Sequence, residues 1–117
     1  MSIQRFHVGP RLSEMAVHSG TIYLAGQVAA DTSQDITGQT NQILASIDKL
    51  LAEAGSDKTR ILSTTIYITD MADFPGMNAA WDAWVVVGAT PPRATVEAKL
   101  AKPAYKVEIQ VDRKSVV

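Results

Sequence analysis

Pro91-Pro92-Arg93-Ala94-Thr95-Val96-Glu97-Ala98-Lys99-Leu100-Ala101, followed after five residues by Val107-Glu108-Ile109, is the stretch on which the reading of the fold turns. Ala94, Val96, Ala98 and Leu100 alternate with Arg93, Thr95, Glu97 and Lys99. A period of two belongs to a β-strand and places the apolar set on one sheet face and the polar set on the other. Val107, Ile109 and Val111 alternate in the same way with Glu108, Gln110 and Asp112. The two prolines before Arg93 forbid a helical approach and set an extended entry. Arg93 therefore stands at the mouth of a strand on stiff backbone, with Thr95 on the same face. A guanidinium held there can grip a planar carboxylate through two parallel hydrogen bonds. The plain alternative is a solvated strand-end charge. Arg, Thr and Glu on one strand face line a monomer's core poorly but suit a wet cleft between subunits.

Outward from this stretch, the chain of 117 residues has the length of one domain, 1–117. Hydrophobic residues make up 46%, enough for a core, in a size range where association often adds stability. The formal net charge is -1, and Lys and Arg are scattered singly, so no nucleic-acid footprint is expected. The chain has no cysteine, which excludes disulfides, thiolate nucleophiles and thiolate metal sites, and fits a reducing compartment. No apolar signal core opens the sequence, and no run approaches the roughly twenty apolar residues that span a bilayer. A soluble, cytoplasmic protein with no membrane partner is the expectation.

In chain order, residues 3–8 read as a strand ended by Gly9-Pro10, and 13–19 as a second ended by Ser19-Gly20. Residues 21–28 read as a third, with Gly26 marking a bulge or a close backbone approach. The polar stretch 30–38 reads as a loop. Ile43, Leu44, Ile47, Leu50, Leu51 and Ala54 then recur at helical spacing over about 38–54, and Gly55 is a natural stop. The β-branched run 61–69 reads as a central strand. Asp70 or Asp73 can cap a second helix with Pro75 in its first turn, and Met77, Trp81 and Trp84 share one face of it. The order βββ-α-β-α-ββ defines an α+β layer fold, a sheet covered on one face by two helices.

Residues 91–109 resemble the C-terminal signature of the RidA-like family (reactive intermediate/imine deaminases, also called L-PSP). That signature is a small residue or proline before Arg, a spaced aliphatic position, then an aliphatic-Glu-Ile or aliphatic-Glu-Met triplet. The resemblance extends from Gly9-Pro10 through Gly26-Gln27 to Asp112. It implies a chorismate-mutase-like fold and a homotrimer whose sheets form a central barrel, with sites in the clefts between subunits. It also implies that Arg93 binds a substrate carboxylate, that Glu108 orients water and handles protons, and that Thr95 stands where many members have cysteine. Two positions depart from the pattern. Many members carry Gly-Pro-Tyr near the N-terminus, whereas Gly9-Pro10 is followed here by Arg11-Leu12-Ser13-Glu14, which aligns Ser13 with the tyrosine. The usual Ser-Gly-Gln is Ala25-Gly26-Gln27.

The implied reaction is hydrolytic deamination of 2-imino or enamine acids to 2-keto acids and ammonia, with no metal or organic cofactor. Glu108 and Thr95 are the catalytic candidates; Arg93, Ser13 and Gly26 are the substrate-binding ones. Glu14 is a polar replacement candidate beside the vacant tyrosine position, against the plainer reading of a solvated charge. The rival function is a non-catalytic trimer that binds small carboxylates or keto acids. Ribonuclease activity has been attached to the family, but the sequence shows neither a basic patch nor a histidine pair for it. Chorismate mutase shares the fold alone. His7 and His18 lie on separate strands without metal-ligand spacing and read as surface histidines. Trp81 and Trp84 read as packing residues, and Asn78 as structural.

Overall fold

The computed structural model describes residues 2–114. Strands β1 (Gln4–Val8), β2 (Ser13–His18) and β3 (Thr21–Leu24) are followed by helix α1 (Ile36–Glu53) and strand β4 (Ile61–Ile68). Helix α2 (Phe74–Trp84) and strands β5 (Arg93–Glu97) and β6 (Val107–Lys114) complete the order. All six strands form one sheet in the order β1-β2-β3-β6-β4-β5. The first three make an antiparallel meander. β4 runs parallel to β5, which requires a crossover, and α2 supplies it. β6 enters between β3 and β4, antiparallel to both. The C-terminal strand is thus central, and β5 lies at an edge.

Centrality explains burial. Val107, Ile109 and Val111 of β6 are at most 1% exposed, as are Ile66 and Ile68 of β4. They pack against Ile43, Leu44, Ile47, Leu50 and Leu51, the apolar stripe of α1, and against Met77 and Trp81 of α2. Each large side chain buried in this way contributes about 1.5–3 kcal/mol. Both helices lie on one face of the sheet, and Trp84 Nε1 donates to an Asp48 carboxylate across them at 2.9 Å. The other sheet face is bare, with Val96 44% and Tyr23 49% exposed on it.

Several boundaries differ from the sequence reading. Helix α1 starts at Ile36, inside the expected loop, because the Asp35 carboxylate accepts from the Gly38 N–H at 2.8 Å and caps the helix there. Gly55 does follow the helix, at φ 75°, where an L side chain would be strained. Asp70 caps a single 3₁₀ turn, Met71–Asp73, that leads into α2; Asp73 makes no side-chain cap. β3 ends at Leu24 rather than reaching residue 28. Beyond it the Ala25 N–H still donates to the Glu14 carbonyl of β2 at 2.9 Å, and Gln27 exchanges two backbone hydrogen bonds with Ile109 of β6 at 2.8 and 3.0 Å.

A buried glutamine ties the loops to this core. The Gln39 side-chain amide, fully buried, donates to the carbonyls of Thr32, Gln34 and Ala104, while its oxygen accepts from the Lys106 N–H. The segment that delivers β6, and with it Glu108, is anchored to the start of α1 through this one side chain.

Candidate functional site

Arg93 opens β5 beside α2. Its Nη1 donates to the Asn78 side-chain oxygen at 2.8 Å, and its guanidinium carbon lies 5.3 Å from the Trp81 ring and 5.8 Å from the Phe74 ring. The aromatic faces and the amide hold the side chain in place by cation–π attraction and one directed bond. Among the described residues no carboxylate pairs with it. Met71, Phe74, Arg93 and Thr95 line an open cleft of about 420 Å³. The Thr95 hydroxyl oxygen is buried and has no hydrogen-bond partner among the described residues, and the same holds for Thr64 on the neighbouring strand. Glu97, the third polar residue of the strand, accepts from the Met71 N–H at 3.1 Å and so closes the turn before α2.

The polar alternates of β5 therefore face the helix side, where the layer is thin at the sheet edge. The apolar alternates Ala94 and Val96 are left exposed on the bare face. Glu108 belongs to that bare face: its neighbours Val107 and Ile109 point into the core, and it stands opposite Tyr67 on β4. Its half-buried carboxylate lies against the Gly26 backbone, where a Cβ would collide with Oε2 and come within 2.8 Å of Cδ. Within one chain Arg93 and Thr95 come together, and Gly26 and Glu108 come together. The two pairs lie on opposite sides of the sheet.

Ser13 joins neither pair. It sits at the start of β2, opposite Val8, four strand positions from β5, or about 19 Å at the usual strand spacing. Glu14, beside it, accepts from the Gln27 side-chain amide at 2.9 Å and faces a second cleft, with His7, Ser46, Lys49 and Glu53 in its wall. His7 is exposed on the edge strand β1, as expected, and its Nε2 lies 2.6 Å from a Glu53 carboxylate oxygen. His18 is only loosely placed, 3.5 Å from the Ser2 carbonyl. Among the described residues no three metal-ligating side chains converge, and no helix is long and apolar enough to cross a membrane.

Sequence reasoning passed over Asn78 as structural and Trp81 as packing, although both touch Arg93. A signal was present. A parallel β4–α2–β5 crossover lays α2 beside β5, and Asn78 and Trp81, three apart, share one helix face.

With this geometry in view, comparison with known proteins identifies the family. The model of the family described as Endoribonuclease L-PSP matches residues 3–113, and the chain belongs to that family, the RidA-like group. A RutC family protein of Haemophilus ducreyi is 50% identical over 109 residues, 93% of either chain. The RutC family protein YoaB of Escherichia coli K12 is 45% identical over 111 residues, 95% of this chain and 96% of its own. Among solved structures, NMB1025 of Neisseria meningitidis, a member of the YjgF protein family, superposes with a TM-score of 0.97 at 44% identity, covering 100% of this chain and 98% of that one. A Pseudomonas aeruginosa protein superposes at 0.96 with 43% identity over 98% of this chain and 100% of that one. The fold is the chorismate-mutase-like α+β fold.

Proposed function

We propose that the protein hydrolyses 2-imino (or tautomeric enamine) acids to 2-keto acids and ammonia, in clefts between the subunits of a homotrimer. The observation that carries this reading is Arg93: a half-buried guanidinium, fixed by Asn78 and Trp81 at the wall of an open cleft, with no carboxylate partner among the described residues. Nη1 also reaches the Met77 sulfur at 4.0 Å, so three of its five N–H donors remain, those on Nε and Nη2. A substrate carboxylate satisfies the charge and orients the adjacent C=N bond.

The reaction asks for little else. Water adds to the imine carbon and one of its protons passes to the nitrogen; the hydroxyl proton of the carbinolamine then passes to the amino group as the C–N bond breaks, giving the keto acid and ammonia. Glu108 orients the water and carries the proton. Thr95, whose buried hydroxyl lacks a partner among the described residues, offers a hydrogen bond to the nitrogen or the water. On the Glu108 side, Gly26 lies against the carboxylate.

Because Arg93 and Glu108 of one chain lie on opposite faces of a sheet, two strand positions apart, one site requires groups from two chains. The exposed Val96, Ala94 and Tyr23 on the bare face supply apolar surface for that association. This geometry supports an assembly with shared sites. The trimer is what the family resemblance implies, and one domain per chain in a cytoplasmic setting is the expectation from the sequence.

The test generates imino acids in situ from several amino acids with an amino-acid oxidase and follows keto-acid release with and without the protein. Faster release than in buffer is expected. Release at the buffer rate, with keto acids still binding at Arg93, would establish the rival function, a carboxylate-binding trimer. The short Ser13 at the position of the family tyrosine is the observation that favours that rival.

A further inference from the structure

We infer that Gly26 is a positioning residue for Glu108: the absence of a side chain at 26 is what seats the Glu108 carboxylate. This rests on the proposed deamination and assigns Gly26 a role toward the acid rather than toward substrate. A Cβ built at position 26 would overlap Oε2 of Glu108 and lie 2.8 Å from its Cδ and 3.1 Å from its Cγ. Three atoms of one side chain thus occupy the volume that any other residue at 26 would fill. Real Cβ atoms do not sustain such contacts, so either backbone or side chain must give way.

The backbone on both sides is held. Before the glycine, the Ala25 N–H donates to the Glu14 carbonyl at 2.9 Å, tying the chain to β2. After it, Gln27 exchanges two hydrogen bonds with Ile109, the residue that follows Glu108. The Gln27 side chain is pinned as well, by Glu14 and by the Ala25 carbonyl. Gly26 therefore crosses from one strand partner to another with neither neighbour free to shift. The yielding party is the long Glu108 side chain, whose rotation costs far less than breaking a ladder.

Gly26 is not among the residues at positive φ, so its backbone conformation is open to alanine. Its glycine identity answers a need for space and not for an unusual dihedral. The seat has two physical effects. It removes rotamers from Glu108, so that the group moving the proton is already aimed when substrate arrives. It also shields one side of the carboxylate from water. Lateral freedom is limited further by Tyr67, directly across on β4.

The experiment is a double-mutant cycle between Gly26→Ala and Glu108→Gln, read by imine hydrolysis, joined to the carbon-13 resonance of the Glu108 carboxyl group, assigned by its loss in Glu108→Gln. Gly26→Ala is expected to lower kcat by about tenfold to a hundredfold, the displaced-group fraction of a general acid–base contribution, with KM nearly unchanged. In the Glu108→Gln background it should lower kcat no further, and in the single Gly26→Ala variant the Glu108 carboxyl resonance should move toward that of a solvated glutamate. Equal losses in both backgrounds, or a rise in KM at constant kcat, would overturn the assignment by making Gly26 an independent substrate contact. So would an unmoved resonance. If wild type leaves imines at the buffer rate, deamination fails as a reading while the resonance alone still decides the seat. If Gly26→Ala does not fold, adding Glu108→Asp should restore folding by withdrawing the carboxylate from the methyl group; a double variant that also fails to fold refutes the seat.

Discussion

Arg93→Ala removes the guanidinium but leaves the rest of the cleft in place, and the structure permits an estimate of what that costs. A charge-assisted pair truncated on one side typically loses about 2–5 kcal/mol. Arg93 is half-buried and borders an open cleft, so the lower part of that range applies. About 2.7 kcal/mol corresponds to a loss of roughly a hundredfold in the affinity for a small 2-keto acid. Arg93→Lys should recover part of this, because an ammonium keeps the charge but cannot form the two-pronged grip. Titration calorimetry with a 2-keto acid measures all three affinities, and thermal unfolding controls for damage. Arg93 lies on an edge strand, so its loss should shift the midpoint by only a few degrees. Affinity unchanged within twofold in Arg93→Ala would refute the clamp. A collapse of thermal stability would mean that Arg93 serves α2 rather than a ligand.

Glu108→Gln keeps the shape of the side chain and loses its proton-accepting role, so imine hydrolysis should fall by about a hundredfold to ten-thousandfold while keto-acid binding stays; activity that survives unchanged removes Glu108 from the mechanism. Val96→Asp places a charge on the bare sheet face and should turn a trimer into monomers by light scattering, with the far-UV spectrum retained; a wild type that is monomeric over a wide concentration range refutes the shared site. Gln39→Leu leaves the Lys106 N–H and several loop carbonyls without partners, a loss of about 2–3 kcal/mol in unfolding by denaturant. Asp57 accepts hydrogen bonds from the Thr59 hydroxyl and N–H, which lower its pKa below the ordinary 3.8. Its contribution to stability is therefore present above that pH and is lost as pH falls through the depressed value; Asp57→Asn should flatten the acid limb of the unfolding profile.

How much of this was legible in the sequence follows from the range of each interaction. The alternation Val107, Ile109, Val111 identified a strand with one buried face, and the stripe from Ile43 to Leu51 identified α1, because both signals are local. The Asp35 cap was also local but was overlooked within a polar stretch. The third strand was drawn too long, since Ala25 and Val28 extend the apolar run past Leu24 while the pairing passes from β2 to Ile109 at Gln27. The position of β6 between β3 and β4 could not be read from periodicity, which carries no information about neighbours. The same holds for His7 and Glu53, 46 residues apart. Arg93 and Glu108 were visible as residue types in a signature, yet their placement on opposite sides of one sheet depends on the parity of each strand against the core.

The position of β6 also sets a condition on folding. Among the described residues, the β1–β3 meander and the β4–α2–β5 unit pair with each other only through residues 107–114. During synthesis the two halves therefore wait with open edges until β6 leaves the ribosome. Those edges, on β3 and β4, present unpaired N–H and C=O groups flanked by Ile22, Leu24, Ile66 and Ile68, the chemistry that recruits other chains. Closure then depends on contacts of long sequence separation, which form slowly. The nascent protein is most open to mispairing just before β6 arrives, and synthesis slowed or interrupted ahead of residues 107–114 would lower yield through aggregation rather than through lower stability of the finished fold.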